Sequence, residues 1–82
     1  MADVTVLADS IIGHQQNVDE YKNKIKSLFD DITFGLVQSN NIITKEIENK
    51  YKEIDSTFNK KSKHEQSILE LKRQIFKELN VG

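Results

Sequence analysis

The stretch VTVLADSIIGHQQNVDEYKNKIKSLFDDI, Val4 to Ile32, decides how this chain folds. Stepping through it by alternating threes and fours meets Val4, Leu7, Ile11, His14, Val18, Tyr21, Ile25, Leu28 and Ile32 without a slip. Every one of these positions except His14 is apolar or aromatic. That spacing is a heptad seam, which keeps one stripe of an α-helix turned toward a partner helix. The helix it predicts runs from about residue 5 to 34, with Asp3, Thr5 and Asp9 as candidate N-caps. Glu20 and Lys24 stand four apart in the favourable order on its exposed side. Gly13 and the polar residues His14 to Asn17 are its weak point, because glycine costs about 1 kcal/mol against alanine in a helix interior.

Working outward, Thr33 to Asn41 reads as a break. Gly35 can adopt the left-handed conformation that closes a helix, and Ser39, Asn40 and Asn41 can cap the next one. The segment is apolar for a turn, with Phe34, Leu36, Val37 and Ile42 close together. A second helix is expected over about 41–79. Its seam begins Ile43, Ile47, Tyr51, Ile54, Phe58, crosses a polar run from Asn59 to Ser67 that could hide a kink, and resumes at Ile68, Leu71 and Ile75. Folding the chain at the break predicts an all-α, antiparallel two-helix hairpin forming a single domain over residues 1–82. The expected facing pairs are Val4 with Leu71, Leu7 with Ile68, Val18 with Phe58, Tyr21 with Ile54, Ile25 with Tyr51, Leu28 with Ile47 and Ile32 with Ile43. The same register sets the two polar runs opposite each other, as one layer of His14, Lys61, Ser62 and Glu65 between two apolar ones.

Apolar residues remain that this seam does not use. Ile12, Phe29, Leu69 and Phe76 lie off the stripe. Ile75, Leu79 and Val81 extend past the start of the first helix, and Leu36 and Val37 sit at the tip. They predict a second contact surface, hence a dimer or another protein.

Composition narrows the function classes. At 82 residues, with 30% charged side chains, 37% hydrophobic ones and no proline, the chain reads as long helices in one small domain. It has no cysteine, so disulfides and thiolate metal sites are excluded. A formal net charge of −1 with both signs interspersed argues against nucleic acid as a partner. No apolar run approaches the ~18 residues of a membrane span, and the N-terminal residues lack the pattern of a cleavable signal peptide.

Candidate chemistry is sparse. His14 and His64 approach each other in the hairpin and could form a pH switch or a metal site, but the sequence favours a polar layer that fixes register. Lys60, Lys61 and Lys63 read as a solvated face. Asp30, Asp31, Glu53 and Asp55 are carboxylates without a cleft to work in. No nucleophile–base constellation, phosphate-binding glycine loop or cofactor motif is present, so the expected protein is not an enzyme and takes no metal or cofactor.

Two long helices around an aromatic–glycine turn near the middle of a chain this short resemble the WXG (Esx-like) family of small, dimerising helical hairpins exported by type VII secretion systems. The chain looks most like the WXG-like helical proteins that accompany LXG toxins. Thr33-Phe34-Gly35 stands where that family has W-x-G, with Gly35 matched and Thr33 in place of the tryptophan. Tyr51-Lys52-Glu53-Ile54-Asp55 matches the family's Y-x-x-x-D/E export signal through Tyr51 and Asp55, though in mid-helix rather than in a tail. The resemblance implies a targeting factor that binds the helical N-terminal domain of an LXG-type toxin, or a second small helical protein, or its own copy. It also implies a cytoplasmic chain that can leave the cell with its partner without a cleavable signal. The residues expected to make that contact are Phe29, Phe34, Gly35, Leu36, Val37, Leu69, Phe76 and Leu79. The competing readings are a type III secretion needle subunit or co-chaperone, against which the lack of a proline in the turn counts, and a homodimeric structural coiled coil.

Overall fold

A computed structural model describes residues 3–80, so Val81 lies outside the described residues. Two helices make up the fold, α1 (Val4–Gln38) and α2 (Lys45–Asn80). Helix α2 is the partner that the seam in α1 calls for, and it packs antiparallel, with Gly35 against Ile47 near the turn and His14 against His64 far from it. The hairpin is a rod of 63 × 14 × 13 Å. Its radius of gyration is 18.4 Å, where a compact domain of this length would have about 12 Å. With only two layers, every buried side chain must lie on the one line where the helices touch.

Local chemistry fixes the ends. Asp3 Oδ1 accepts the Thr5 N–H at 2.9 Å, which makes Asp3 the N-cap of α1. The far end differs from the sequence expectation. Gly35 does not close α1: the helix runs through it to Gln38, and no described glycine has positive φ. The left-handed residues are Asn40 (φ 54°) and Asn41 (φ 66°). The Asn41 N–H reaches back to the Leu36 carbonyl at 2.8 Å, the long bond of a Schellman closure, and Ser39 Oγ donates to the Ile42 carbonyl at 2.6 Å. Asparagine tolerates this backbone because its short polar side chain bonds locally. Helix α2 then starts four residues later than predicted. Its N-cap is Thr44, whose Oγ1 accepts the Ile47 N–H at 3.3 Å, and not Ser39, Asn40 or Asn41.

In α1 the predicted seam is the buried one. Leu7, Val18, Ile25 and Leu28 are buried, and Val4, Ile11, His14, Tyr21 and Ile32 are half-buried. In α2 the line turned inward is Ile47, Lys50, Ile54, Thr57, Lys61, His64, Ile68, Leu71, Ile75 and Glu78, all buried or half-buried. Tyr51 and Phe58, expected in the seam, are 57% and 43% exposed. The register moves with them, by up to about one heptad. Ile54 joins Ile25 and Leu28 in the core cluster, with Ile32 packed on it, instead of facing Tyr21. Ile47 lies against Gly35 instead of Leu28. His14 meets His64, while Ser62 and Glu65 of the expected polar layer are exposed. Helix α2 passes through the polar run without a break.

Polar groups on the seam are satisfied close to home. Thr57, 3% exposed, donates its hydroxyl to the Glu53 carbonyl at 2.7 Å. Lys61 Nζ reaches Glu65 at 2.6 Å, and Lys50 Nζ reaches Asp31 at 3.4 Å. Their alkyl stems cover the seam while the ammonium groups reach its rim. Among the described residues no buried side-chain nitrogen or oxygen lacks a partner. Among the described residues no helix is long and apolar enough to cross a membrane.

Candidate partner-binding face

Helix α2 carries two overlapping heptad lines that share Ile47, Ile54, Ile68 and Ile75. One continues through Lys50, Thr57, His64, Leu71 and Glu78; the other continues through Tyr51, Phe58, Glu65, Lys72 and Leu79. The first faces α1. The chain thus turns its more polar line inward and leaves Tyr51, Phe58 and Leu79 outside, the reverse of what burial of apolar surface alone would select.

This choice makes the two sides of the rod unequal. On one side the helices are laced by charge: Lys24 Nζ meets Glu53 at 3.1 Å across the interface, and Lys50 bridges Asp31 and Glu46. Lys24 therefore serves the interhelical contact and not the Glu20 pairing expected from spacing, whereas the predicted Glu46–Lys50 and Glu48–Lys52 pairs form at 4.0 and 3.5 Å. Asp31 and Glu53 are accounted for by these contacts.

The other side is a broken apolar row drawn from both helices. Near the tip, Ile32, Leu36, Ile43, Ile47 and Tyr51, with Glu48 beside them, line a groove of about 440 Å³ whose exposed wall is apolar. Toward the open end, Gln15, Lys22, Glu65, Leu69 and Lys72 line a second groove, so these five share the same side. Whole heptads from these residues place others beside them: Phe29 from Leu36, Phe58 from Tyr51, Phe76 from Leu69 and Leu79 from Lys72. Ile12 adjoins Gln15 one turn away. Phe29, Leu69, Phe76 and Leu79 are 45%, 48%, 69% and 67% exposed. If Ile12, Phe29, Tyr51, Phe58, Leu69, Phe76 and Leu79 each leave on the order of 100 Å² open, the row offers roughly 700 Å², close to one partner's share of a stable interface.

The predicted contact residues therefore divide. Phe29, Leu36, Leu69, Phe76 and Leu79 fall on one side. Phe34 lies on the charged side, in a groove with Asp31, Gln38 and Lys50. Val37, 71% exposed, projects at the tip, and Gly35 is covered by Ile47. Tyr51 and Asp55 are both exposed one turn apart in mid-α2. Ile12, off the stripe in the sequence but not among the named contact residues, joins the row, as do Tyr51 and Phe58, which the sequence assigns to the seam. No protein-family model, curated protein or solved structure matches the chain.

Proposed function

We propose that this protein is a non-enzymatic helical binding module that docks helices of a partner protein along the Leu36–Tyr51–Phe58–Leu69–Phe76 side. In the finer reading it is a type VII secretion targeting factor, a WXG-like companion of the helical N-terminal domain of an LXG-type toxin. The observation that carries the coarser part is the inverted choice in α2, where Lys50 and Thr57 face inward and Tyr51 and Phe58 face out. Aromatic side chains held outside a seam that could have buried them fit a surface reserved for another helix. The finer part rests on the hairpin length and on the Thr33-Phe34-Gly35 and Tyr51-to-Asp55 sequences.

The test is affinity capture from the native cell with the tagged chain. Recovery of a larger protein with a helical N-terminal domain, lost when Tyr51 and Phe76 are changed to serine but kept when Phe34 and Val37 are, supports the targeting-factor reading. Capture that ignores the Tyr51 and Phe76 changes sinks it.

A homodimer is the second reading, because the row is self-complementary. In this register Tyr51 is level with Phe29, and Leu69 with Ile12. Two rods laid antiparallel, row to row, bring those apolar pairs together and set Lys72 against Glu48 and Lys22 against Asp19. Light scattering at twice the chain mass, reverting to the single mass in a Tyr51→Ser, Phe76→Ser variant, would favour it.

A further inference from the structure

His14 and His64 meet where both helices turn polar. Their Nδ1 atoms are 2.7 Å apart, with ring centroids 5.0 Å apart and planes tilted by 47°. The Tyr21 ring stacks on His64 at 5.8 Å, which holds that imidazole in place. Both histidines are half-buried. A contact of this length and pairing holds one proton between two nitrogens: one ring donates and the other accepts through its lone pair. Two imidazole nitrogens converging between packed helices, separated by a displaceable proton, are a donor set for first-row divalent ions.

We infer that His14 and His64 form an interhelical site for a divalent transition metal of the zinc class, which ties α1 to α2 by taking the place of the shared proton while that proton passes through water to Nε2 of the ring that donated it. At the usual zinc–nitrogen distance of about 2.0–2.1 Å, tetrahedral ligands stand roughly 3.3 Å apart, so the rings must separate by about half an ångström from their present 2.7 Å. Small side-chain rotations accomplish that. A groove lined by Ser10, Gly13, His14, Gln16, Asn17 and Glu20 of α1 brings water to His14. Glu65, the nearest carboxylate in the sequence, is paired with Lys61 at 2.6 Å instead of with either histidine. Among the described residues there is no group of three or more histidines, cysteines, aspartates or glutamates arranged for a metal. Two protein nitrogens and water therefore make up the sphere, and the affinity is modest. The ion acts as a staple at the stretch where the seam is polar, in a scaffold that has no disulfide and only a thin core. A ligand that binds only the folded hairpin stabilises it by mass action. The inference is independent of what the apolar row binds.

Thermal unfolding of the full chain, followed by circular dichroism at neutral pH in zinc chloride or in chelator, tests the site. The expected results are a midpoint raised by about 5 °C in zinc, one zinc bound per chain by titration calorimetry, and loss of both effects in His14→Gln and in His64→Gln. Proton NMR of the unsubstituted chain needs no variant to fold: both imidazole signals should move together and saturate at one equivalent. An unchanged midpoint, a rise that survives either substitution, or a response from a single imidazole would overturn it.

Discussion

A methyl group built on Gly35 would stand 3.1 Å from Ile47 Cγ1 and 3.3 Å from its Cδ1, so these two residues set how closely the helices approach next to the turn. Ile47 is only 7% exposed and has little room to retreat. Gly13 is the control, because a methyl there meets nothing within 4 Å. Gly13→Ala should stabilise the hairpin by about 1 kcal/mol through helix propensity. Gly35→Ala gains the same propensity but crowds a packed side chain at a cost of about 1–3 kcal/mol, so its net effect is neutral to destabilising. Thermal midpoints that rise for Gly13→Ala and do not rise for Gly35→Ala confirm the contact; equal rises refute it.

The turn depends on left-handed asparagine. Asn40 has φ 54°, a conformation that costs a residue with an ordinary β-carbon about 1–2 kcal/mol. Asn40→Ala should therefore lower stability by about 1 kcal/mol, while Asn40→Gly should leave it unchanged or slightly raised. Denaturant unfolding of both variants decides this, and an alanine variant as stable as the glycine one would mean that residue 40 is not left-handed.

These two sites show what the sequence makes legible and where it misleads. The seam of α1 could be read in full because each of its positions but His14 is apolar and no second line competes. The hairpin followed from it. The register did not, because Tyr51 and Phe58 outrank Lys50 and Thr57 in apolarity while the two lines share the same isoleucines. Lysine can lie along a seam with its ammonium at the rim, and threonine can return its hydroxyl to its own helix; neither ability registers in a hydrophobic pattern. Gly35 misled for a different reason: glycine serves helix ends and close helix approaches alike, and only the packing against Ile47 separates the two uses. Of the face, Phe29, Leu69 and Phe76 are legible from their place off the stripe, Leu36 from the tip and Leu79 from its reach past the first helix, whereas Tyr51 and Phe58 are not, because the sequence pattern assigns them to the seam.

The register itself is open to a direct comparison. Ile54 is 2% exposed between Ile25 and Leu28, whereas Phe58, four residues on, is 43% exposed with Lys61 Nζ 5.9 Å from its ring centroid. Ile54→Ala should cost about 2–4 kcal/mol, a cavity in the tightest part of the seam. Phe58→Ala removes a larger side chain yet should cost clearly less than Ile54→Ala, about 1 kcal/mol, because nearly half of that side chain is already open to solvent and no closed cavity is left. Chemical denaturation of the two variants at a concentration where the chain is monomeric measures the difference. A Phe58 effect equal to that of Ile54 would restore the register in which both face α1.

Thr57 tests whether the inward line of α2 serves stability at all. Its side chain is 3% exposed and its hydroxyl donates to the Glu53 carbonyl at 2.7 Å. That carbonyl lies in mid-helix, within the stretch where each carbonyl also accepts from a backbone N–H of the next turn. Thr57→Val keeps the shape, removes the hydroxyl, and leaves no buried donor or acceptor alone, so the usual cost of an orphaned polar group does not apply. A buried methyl in place of a hydroxyl should then raise stability by roughly 0.5–1 kcal/mol. The same change should leave binding along the Tyr51 and Phe58 side untouched, because Thr57 faces α1. A thermal midpoint raised by a few degrees with unchanged partner capture would show that the seam is less apolar than the fold allows and that the outward aromatic residues, not the inward polar ones, carry recognition. A loss of stability would instead mean that the Thr57 hydroxyl is needed where it stands.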